Sequence, residues 1–342
     1  MAMDKSAADA YVYSKASGML ASSYVGRRAL RLFNARSLQE LWSLVFKSEM
    51  PVVPETVLVK ILQKDAGAKF VSDYIKLLSN YESPADILIS LLHFYDYDNI
   101  KEIGAALCFS ERTMPDIVNI SPFNFVKYSE WPDIKTMTAD SPVQWYDKIP
   151  LICEQQANDY RLDGQYVREI WNSCHALKSS CRDEVLRLIT EKFKIDNVLW
   201  ALRLRLYYDM EQEDVVQYLA YTTDERRTND IIVSDAIATL KWSTDDWDSW
   251  RKWKYAWLLN PHEDGVVWNV DPKWIYNAYK KLYVKKAYTL FHKYPFTECP
   301  LICYFIIKRN ELDNIRTASE SLRLNIPAAD AIAYAGITEV KK

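Results

Sequence analysis

The sequence predicts an all-α protein, and three observations carry that expectation. Seven glycines in 342 residues leave few positions for tight hairpins, phosphate loops or bulged sheets, which depend on residues free to adopt positive φ. Apolar side chains recur three and four residues apart through most of the chain, and no stretch alternates with the period of two that a half-buried strand requires. Prolines are unevenly placed, with five from Pro115 to Pro150 and none between Pro150 and Pro261, so long spans stay open to helix interiors.

In chain order, Asp9 to Phe33 carries Tyr13, Ala16, Leu20, Tyr24, Leu30 and Phe33 at helical spacing, and Leu38 to Phe46 continues with Leu41, Trp42 and Val45. The proline-rich residues 111 to 150 read as a connector. Helical stripes return over Tyr166–Ala176, Glu184–Phe193, Val198–Tyr208 and Val215–Tyr221. Asp245 to Asp248 opens a helix capped by Ser243 or Thr244, because acids favour a first turn. That helix would place Trp247, Trp250, Trp253 and Trp257 along one face, as core against a neighbour or as an anchor for a partner helix. The longest apolar run, Leu301 to Ile307, is far short of the roughly 20 residues a membrane span needs.

Composition bounds the function. Lys and Arg number 43 against 46 Asp and Glu, a net charge of −3 with 49% hydrophobic residues, which excludes disordered and fibrous classes and argues against nucleic acid. The length implies two or three structural units. Six cysteines and four histidines form no clustered metal-ligand spacing. Cys299 and Cys303 lie one turn apart in an apolar run and are expected as buried thiols. The start of the chain shows no charged-then-apolar secretion signal, so a cytoplasmic setting is expected.

The most informative feature is an internal repeat. Asp-Asn followed by a β-branched residue occurs at Asp98-Asn99-Ile100, Asp196-Asn197-Val198 and Asp313-Asn314-Ile315, separated by 98 and 117 residues. Eleven, ten and seven residues before each Asp the copies read Ile87, Leu88, Leu91; Val185, Leu186, Ile189; and Ile302, Cys303, Ile306. Eleven residues after it stand Phe109, Tyr207 and Leu324. Three helical repeats follow, divided as 1–110, 111–210 (connector and second repeat) and 211–342. Because Asp and Asn favour caps over helix interiors, each Asp-Asn is expected to separate two helices, with the later one carrying a shared functional surface.

Candidate chemistry is sparse. Asp245-Asp246-Trp247-Asp248 resembles the aspartate-rich magnesium motif of class I terpene synthases, which holds a prenyl diphosphate through paired carboxylates. The motif's last acid belongs one position later, where Ser249 stands, and a second motif starting at Asn229-Asp230 meets Val233 and Ile237 where a hydroxyl and an acid belong. Phosphate-loop, dinucleotide and nucleophile–histidine patterns are absent. No cofactor and no catalytic residue is expected. Charge says more: Lys273 to Thr297 holds six lysines, Lys273, Lys280, Lys281, Lys285, Lys286 and Lys293, plus His292 and no acid. Asp209 to Asp214 is conversely acidic. Such runs are solvated helix faces or surfaces for an acidic partner or anionic headgroups.

The segment from Pro300 through Lys308, Glu311, Asn314, Ile315 and Arg316 to Pro327 resembles the C-terminal signature of the C-type subunit of V/A-type ATPases, the prokaryotic counterpart of the d-type subunit of vacuolar ATPases. Tyr11 to Leu20, Leu38 to Leu44 and the three Asn-aliphatic positions are similar to that family as well. Arg309 stands where the pattern has an acid, and Ser321 and Asn325 stand where it has glycines; Asn325 can still end a helix in the left-handed conformation. The resemblance implies a monomeric, non-catalytic subunit of three pseudo-symmetric helical domains forming a funnel. It implies partners in the rotor shaft and the membrane proteolipid ring, and a place at the cytoplasmic face. On this reading Asn99, Asn197, Asn314, Lys308, Glu311, Arg316 and Arg323 are candidate partner-binding residues, with Lys280, Lys281, Lys285 and Lys286 on the basic helix. A generic helical scaffold and a prenyl-diphosphate enzyme are the alternatives.

Overall fold

The computed structural model describes residues 3–263 and 265–337. Among them are fourteen α-helices, and β-structure is limited to one isolated bridge between Met3 and Tyr81, so the fold class is all-α. The chain divides into two compact units. One comprises Met1–Ser83, Tyr255–Asp264 and Val270–Lys342, the other Pro84–Lys254 and Gly265–Asn269.

The first unit opens with α1 (Lys5–Ala21), started by Asp4, whose carboxylate accepts from the Ala7 amide at 3.1 Å. The expected single helical span to Phe33 breaks after α1. Gly26 has φ +56° and begins a 3-10 turn, Gly26–Ala29, followed by α2 (Leu30–Phe33) and α3 (Leu38–Val45). Ser37 caps α3 by accepting from the Glu40 amide, and α4 (Glu55–Leu78) follows Pro54.

The second unit holds α5 (Asp86–Cys108), α6 (Ile134–Thr138), α7 (Ile152–Ala176), α8 (Arg182–Tyr208), α9 (Gln212–Val215), α10 (Ser234–Leu240) and α11 (Trp247–Trp250). Here α5 packs along α7, and α8 packs against α7 and α10. The connector is largely irregular but supplies core: Val126, Ile134, Met137, Val143 and Tyr146 join Ile100, Ile103 and Leu162 of the long helices. Gly104, inside α5, admits this packing, since a Cβ there would lie 2.0 Å from the Tyr146 hydroxyl. The tryptophan stripe is not one helix face. Asp246, rather than Ser243 or Thr244, caps α11, which ends at Trp250; Trp250 and Trp253 are buried while Trp257 is 60% exposed.

The chain returns to the first unit in α12 (Pro272–Lys293), α13 (Cys299–Arg323) and α14 (Ala328–Tyr334). Every residue of α13 from Cys299 to Ile307 is buried. A helix that is apolar all round belongs at a centre, and α13 is packed by α1, α4 and α12 as well as by the shorter α2, α3 and α14. The apolar run that is too short for a membrane is therefore the middle of this unit. Cys299 and Cys303 are buried thiols with sulfurs 3.7 Å apart.

The expected break at each Asp-Asn is overturned: all three pairs lie inside uninterrupted helices, α5, α8 and α13. The shared register survives in another form. Helices α5 and α13 both end ten residues after their Asp, with Phe109 and Leu324 as half-helical caps and Ser110 (φ 57°) and Asn325 (φ 55°) in the left-handed conformation. The closing bonds match too, Glu111 N–H to Ala106 at 2.9 Å and Ile326 N–H to Ser321 at 2.8 Å, the two-residue wrap that satisfies last-turn carbonyls. Helix α8 runs two residues further and stops at left-handed Asp209.

Candidate functional site

Asn is a weak helix former because its amide competes for backbone bonds, and here that competition is met from outside the helix. Asn99 donates Nδ2 to the Val118 carbonyl and accepts from the Val118 amide, both at 2.9 Å, and it also donates to the Tyr128 hydroxyl at 2.8 Å. Asn197 makes the same pair with Ala220, both at 2.9 Å, and donates to the Ile232 carbonyl at 2.9 Å. Asn314 donates to the Tyr24 carbonyl at 3.1 Å, while the Tyr24 amide donates to Glu311 at 2.6 Å, one turn earlier on α13. Each buried amide thus clamps the backbone of one residue in a non-helical segment, supplying the bonds that segment lacks from secondary structure. In the first two copies that segment follows the clamping helix; in the third it comes from the start of the chain. This is also why the helix expected to reach Phe33 cannot: both backbone groups of Tyr24 are held by α13.

The three asparagines and Glu311 thus fasten segments within the fold. Lys308 belongs with them, ion-paired to the second Glu311 oxygen and 3.4 Å from the Ser23 hydroxyl. Arg323 pairs with Glu320 at 2.8 Å, and Glu320 also accepts from Gln63 at 3.1 Å. Arg316 is exposed on the same flank. Burial alone would raise the Glu320 carboxyl, but Arg323, Gln63 and Arg316 outweigh it and hold the group below the ordinary value. On α12, Lys280 pairs with Asp313 at 3.1 Å and Lys273 lies 3.2 Å from the Tyr334 ring centre. Lys281 and Lys285 are exposed and Lys286 half-buried.

A half-buried ionisable cluster in the second unit carries no motif in the sequence. His93 on α5 bonds through Nδ1 to Glu169 of α7 at 2.5 Å and through Nε2 to the Phe123 carbonyl at 3.0 Å. Both acceptors favour a doubly protonated ring. Burial opposes that charge, but Glu169, Asp96 and the Phe123 carbonyl outweigh it and raise the His93 pKa above the ordinary value. Tyr97 donates to the other Glu169 oxygen at 3.0 Å, and Asp96 accepts from Tyr128 and from the Phe125 amide. Burial raises the Asp96 pKa against those bonds. The cluster ties the connector to α5 and α7. Only a lone His in an apolar stripe, His93, hinted at it.

The aspartates that resemble a metal motif serve local structure. Asp246 accepts from the Ser249 amide at 3.3 Å, Asp248 pairs with Arg251 at 3.1 Å, and Asp230 accepts from Thr222 and Ile232 in the loop clamped by Asn197. Among the described residues no group of three His, Cys, Asp or Glu is placed to hold a metal ion. Burial pushes the Cys174 thiol up to about 12, far from nucleophilic. The acids from Asp209 to Asp214 end α8 and open α9, where acids favour a first turn.

Three cavities accompany these elements. One of about 560 Å³ in the second unit lies between α7, α8 and the clamped 217–221 segment, with Arg161, Arg168 and Arg226 offset by Asp163, Asp196 and Asp224. Two in the first unit, of about 250 and 710 Å³, adjoin through Gly26, Arg27, Lys281 and Val284 along α12. No helix among the described residues is long and apolar enough to cross a membrane.

Comparison with known proteins agrees with this architecture. A protein of Treponema pallidum (strain Nichols), named only "Uncharacterized protein", is 28% identical over 322 residues covering 94% of each chain. Residues 30–334 match the ATP synthase (C/AC39) subunit family, a span that contains all three Asn-clamped helices, and the chain belongs to that family, which comprises the C-type and d-type subunits of V/A-type ATPases.

Proposed function

We propose that this protein is the non-catalytic central-stalk subunit of a V/A-type rotary ATPase, seated on the cytoplasmic end of the proteolipid ring and receiving the foot of the rotor shaft. Membership in the C/AC39 family over residues 30–334 carries the reading. The repeats at 1–110, 111–210 and 211–342 would then form three pseudo-symmetric domains around the shaft, a funnel through which torque passes between ATP turnover and ion movement. The clamps support such a role physically. A torque-bearing part must resist shear between its helices and loops, and each Asn, itself buried, fastens a loop to a long helix through directed bonds, which a low local dielectric strengthens. Exposed Arg316 with Arg323, and the lysines of α12, supply partner contacts on this reading.

Affinity purification of the tagged full-length chain from its native membranes tests it: a helical shaft subunit and the proteolipid ring should come down together. Recovery of neither would overturn the proposal. Within the complex, reversing Arg316 and Arg323 to Glu should leave ATP hydrolysis intact while pumping falls and retention on the ring becomes salt-sensitive. Unchanged pumping and retention would exclude that face.

A further inference from the structure

The larger of the two adjoining cavities in the first unit, about 710 Å³, is a cleft with one wall from α1 and the 23–28 segment and the other from α12. Its floor is apolar, formed by Leu20, Val25, Val284 and Phe291. Arg27 and Arg28 stand on one wall and Lys281, Lys285 and His292 on the other, all exposed at the surface, and no carboxylate among the described residues lines it. Burial and then the Glu311 carboxylate push the Tyr288 phenol of this lining up to about 12, and Arg28 opposes them by stabilising the ionised form.

We infer that this cleft binds an acidic amphipathic helix of a partner protein. Three features select that occupant. The cations come from two separate elements, Lys281 and Lys285 of α12 and Arg27 and Arg28 of the facing segment, so they flank the apolar floor from both sides instead of gathering at one point as headgroup recognition requires. Lys281 and Lys285 are one turn apart, about 6 Å, the spacing that carboxylates four residues apart on a second helix present. One wall is helical and the backbone of the 23–28 wall is bonded within the fold, Ser23 N–H to Leu20, Tyr24 to Glu311 and Asn314, and the Val25 carbonyl to Arg28, so neither offers a strand edge for an extended peptide, and an apolar floor takes the every-third-or-fourth-residue anchors of a helix. The partner's apolar stripe lies on the floor and its acidic flanks meet both cationic walls. The inference rests on the cleft alone and not on the rotary reading, because the test uses the isolated full-length chain.

The probe is a fluorescein-labelled synthetic helix of about three turns, leucine on one stripe and glutamate elsewhere, with binding followed by fluorescence anisotropy at low salt. Saturable binding is expected. Lys281→Glu with Lys285→Glu, and separately Arg27→Glu with Arg28→Glu, should each weaken it at least about tenfold, while Lys178→Glu, outside the cleft, changes nothing. Circular dichroism confirms that each variant is folded. No binding, equal binding of a scrambled peptide, or equal loss from Lys178→Glu would overturn the proposal. So would phosphatidylglycerol vesicles displacing the peptide and losing affinity in the same cleft variants, which would mark a lipid site instead.

Discussion

The three clamps allow a ranking to be calculated from hydrogen bonds alone. Asn99 and Asn197 each make three well-formed bonds, whereas Asn314 makes one at 3.1 Å and a second contact, to Asn310, at the 3.5 Å limit. A buried bond contributes a net of about 1 kcal/mol, and replacing Asn by Ala in a helix interior returns about 0.6 kcal/mol of propensity. Asn99→Ala and Asn197→Ala should therefore cost about 2.4 kcal/mol each, and Asn314→Ala about 0.4 kcal/mol. Urea denaturation followed by far-ultraviolet circular dichroism reads these differences directly. Asn197→Asp sharpens the test, because it keeps the side-chain size but sets a carboxylate oxygen against the Ala220 and Ile232 carbonyls, and it should be no milder than alanine. If Asn314→Ala proves costlier than the other two, or Asn197→Asp matches wild type, the clamp is not what these residues provide.

Other outcomes follow from the same geometry. Because His93 has a folded pKa raised above its unfolded value near 6.5, its contribution is fully present below about pH 6.5 and is lost as pH rises through the folded pKa; His93→Gln should flatten the fall in urea midpoint above that pH. Glu311→Ala leaves Lys308 and the Tyr24 amide without their carboxylate and should cost about 3 kcal/mol. Lys308→Met, which keeps the Tyr24 bond, should cost less, and equal losses would refute the dual role of Glu311. Gly104→Ala sets overpacking of about 1–3 kcal/mol against about 1 kcal/mol of helix propensity, a net destabilisation. Adding Tyr146→Phe, which removes the hydroxyl and leaves the ring carbon at 3.0 Å as the nearest atom, should recover part of it, measured as thermal midpoints.

What the sequence determined by itself is what depends on neighbours along the chain. Helical periodicity, the buried thiols at Cys299 and Cys303 and the left-handed stop at Asn325 follow from side-chain spacing and from each residue's own φ preference, and they are legible without a fold. The shared register of the three Asp-Asn copies was legible too, but its meaning was not. Local propensity places Asn at a helix break at an advantage of only a few tenths of a kcal/mol, whereas two bonds to Val118 or Ala220, or one to Tyr24, outweigh that and keep it mid-helix. Those partners lie 19, 23 and 290 residues away, distances over which no periodicity carries information. The tryptophan stripe failed for the same reason, since Asp246 and the tertiary packing of Trp250 stop α11 where spacing alone would extend it. The candidate cleft shows the division most plainly: the lysines of α12 announce a basic helix, but only the fold brings Arg27 and Arg28 from the start of the chain to face them, because charges act through space and not through sequence order.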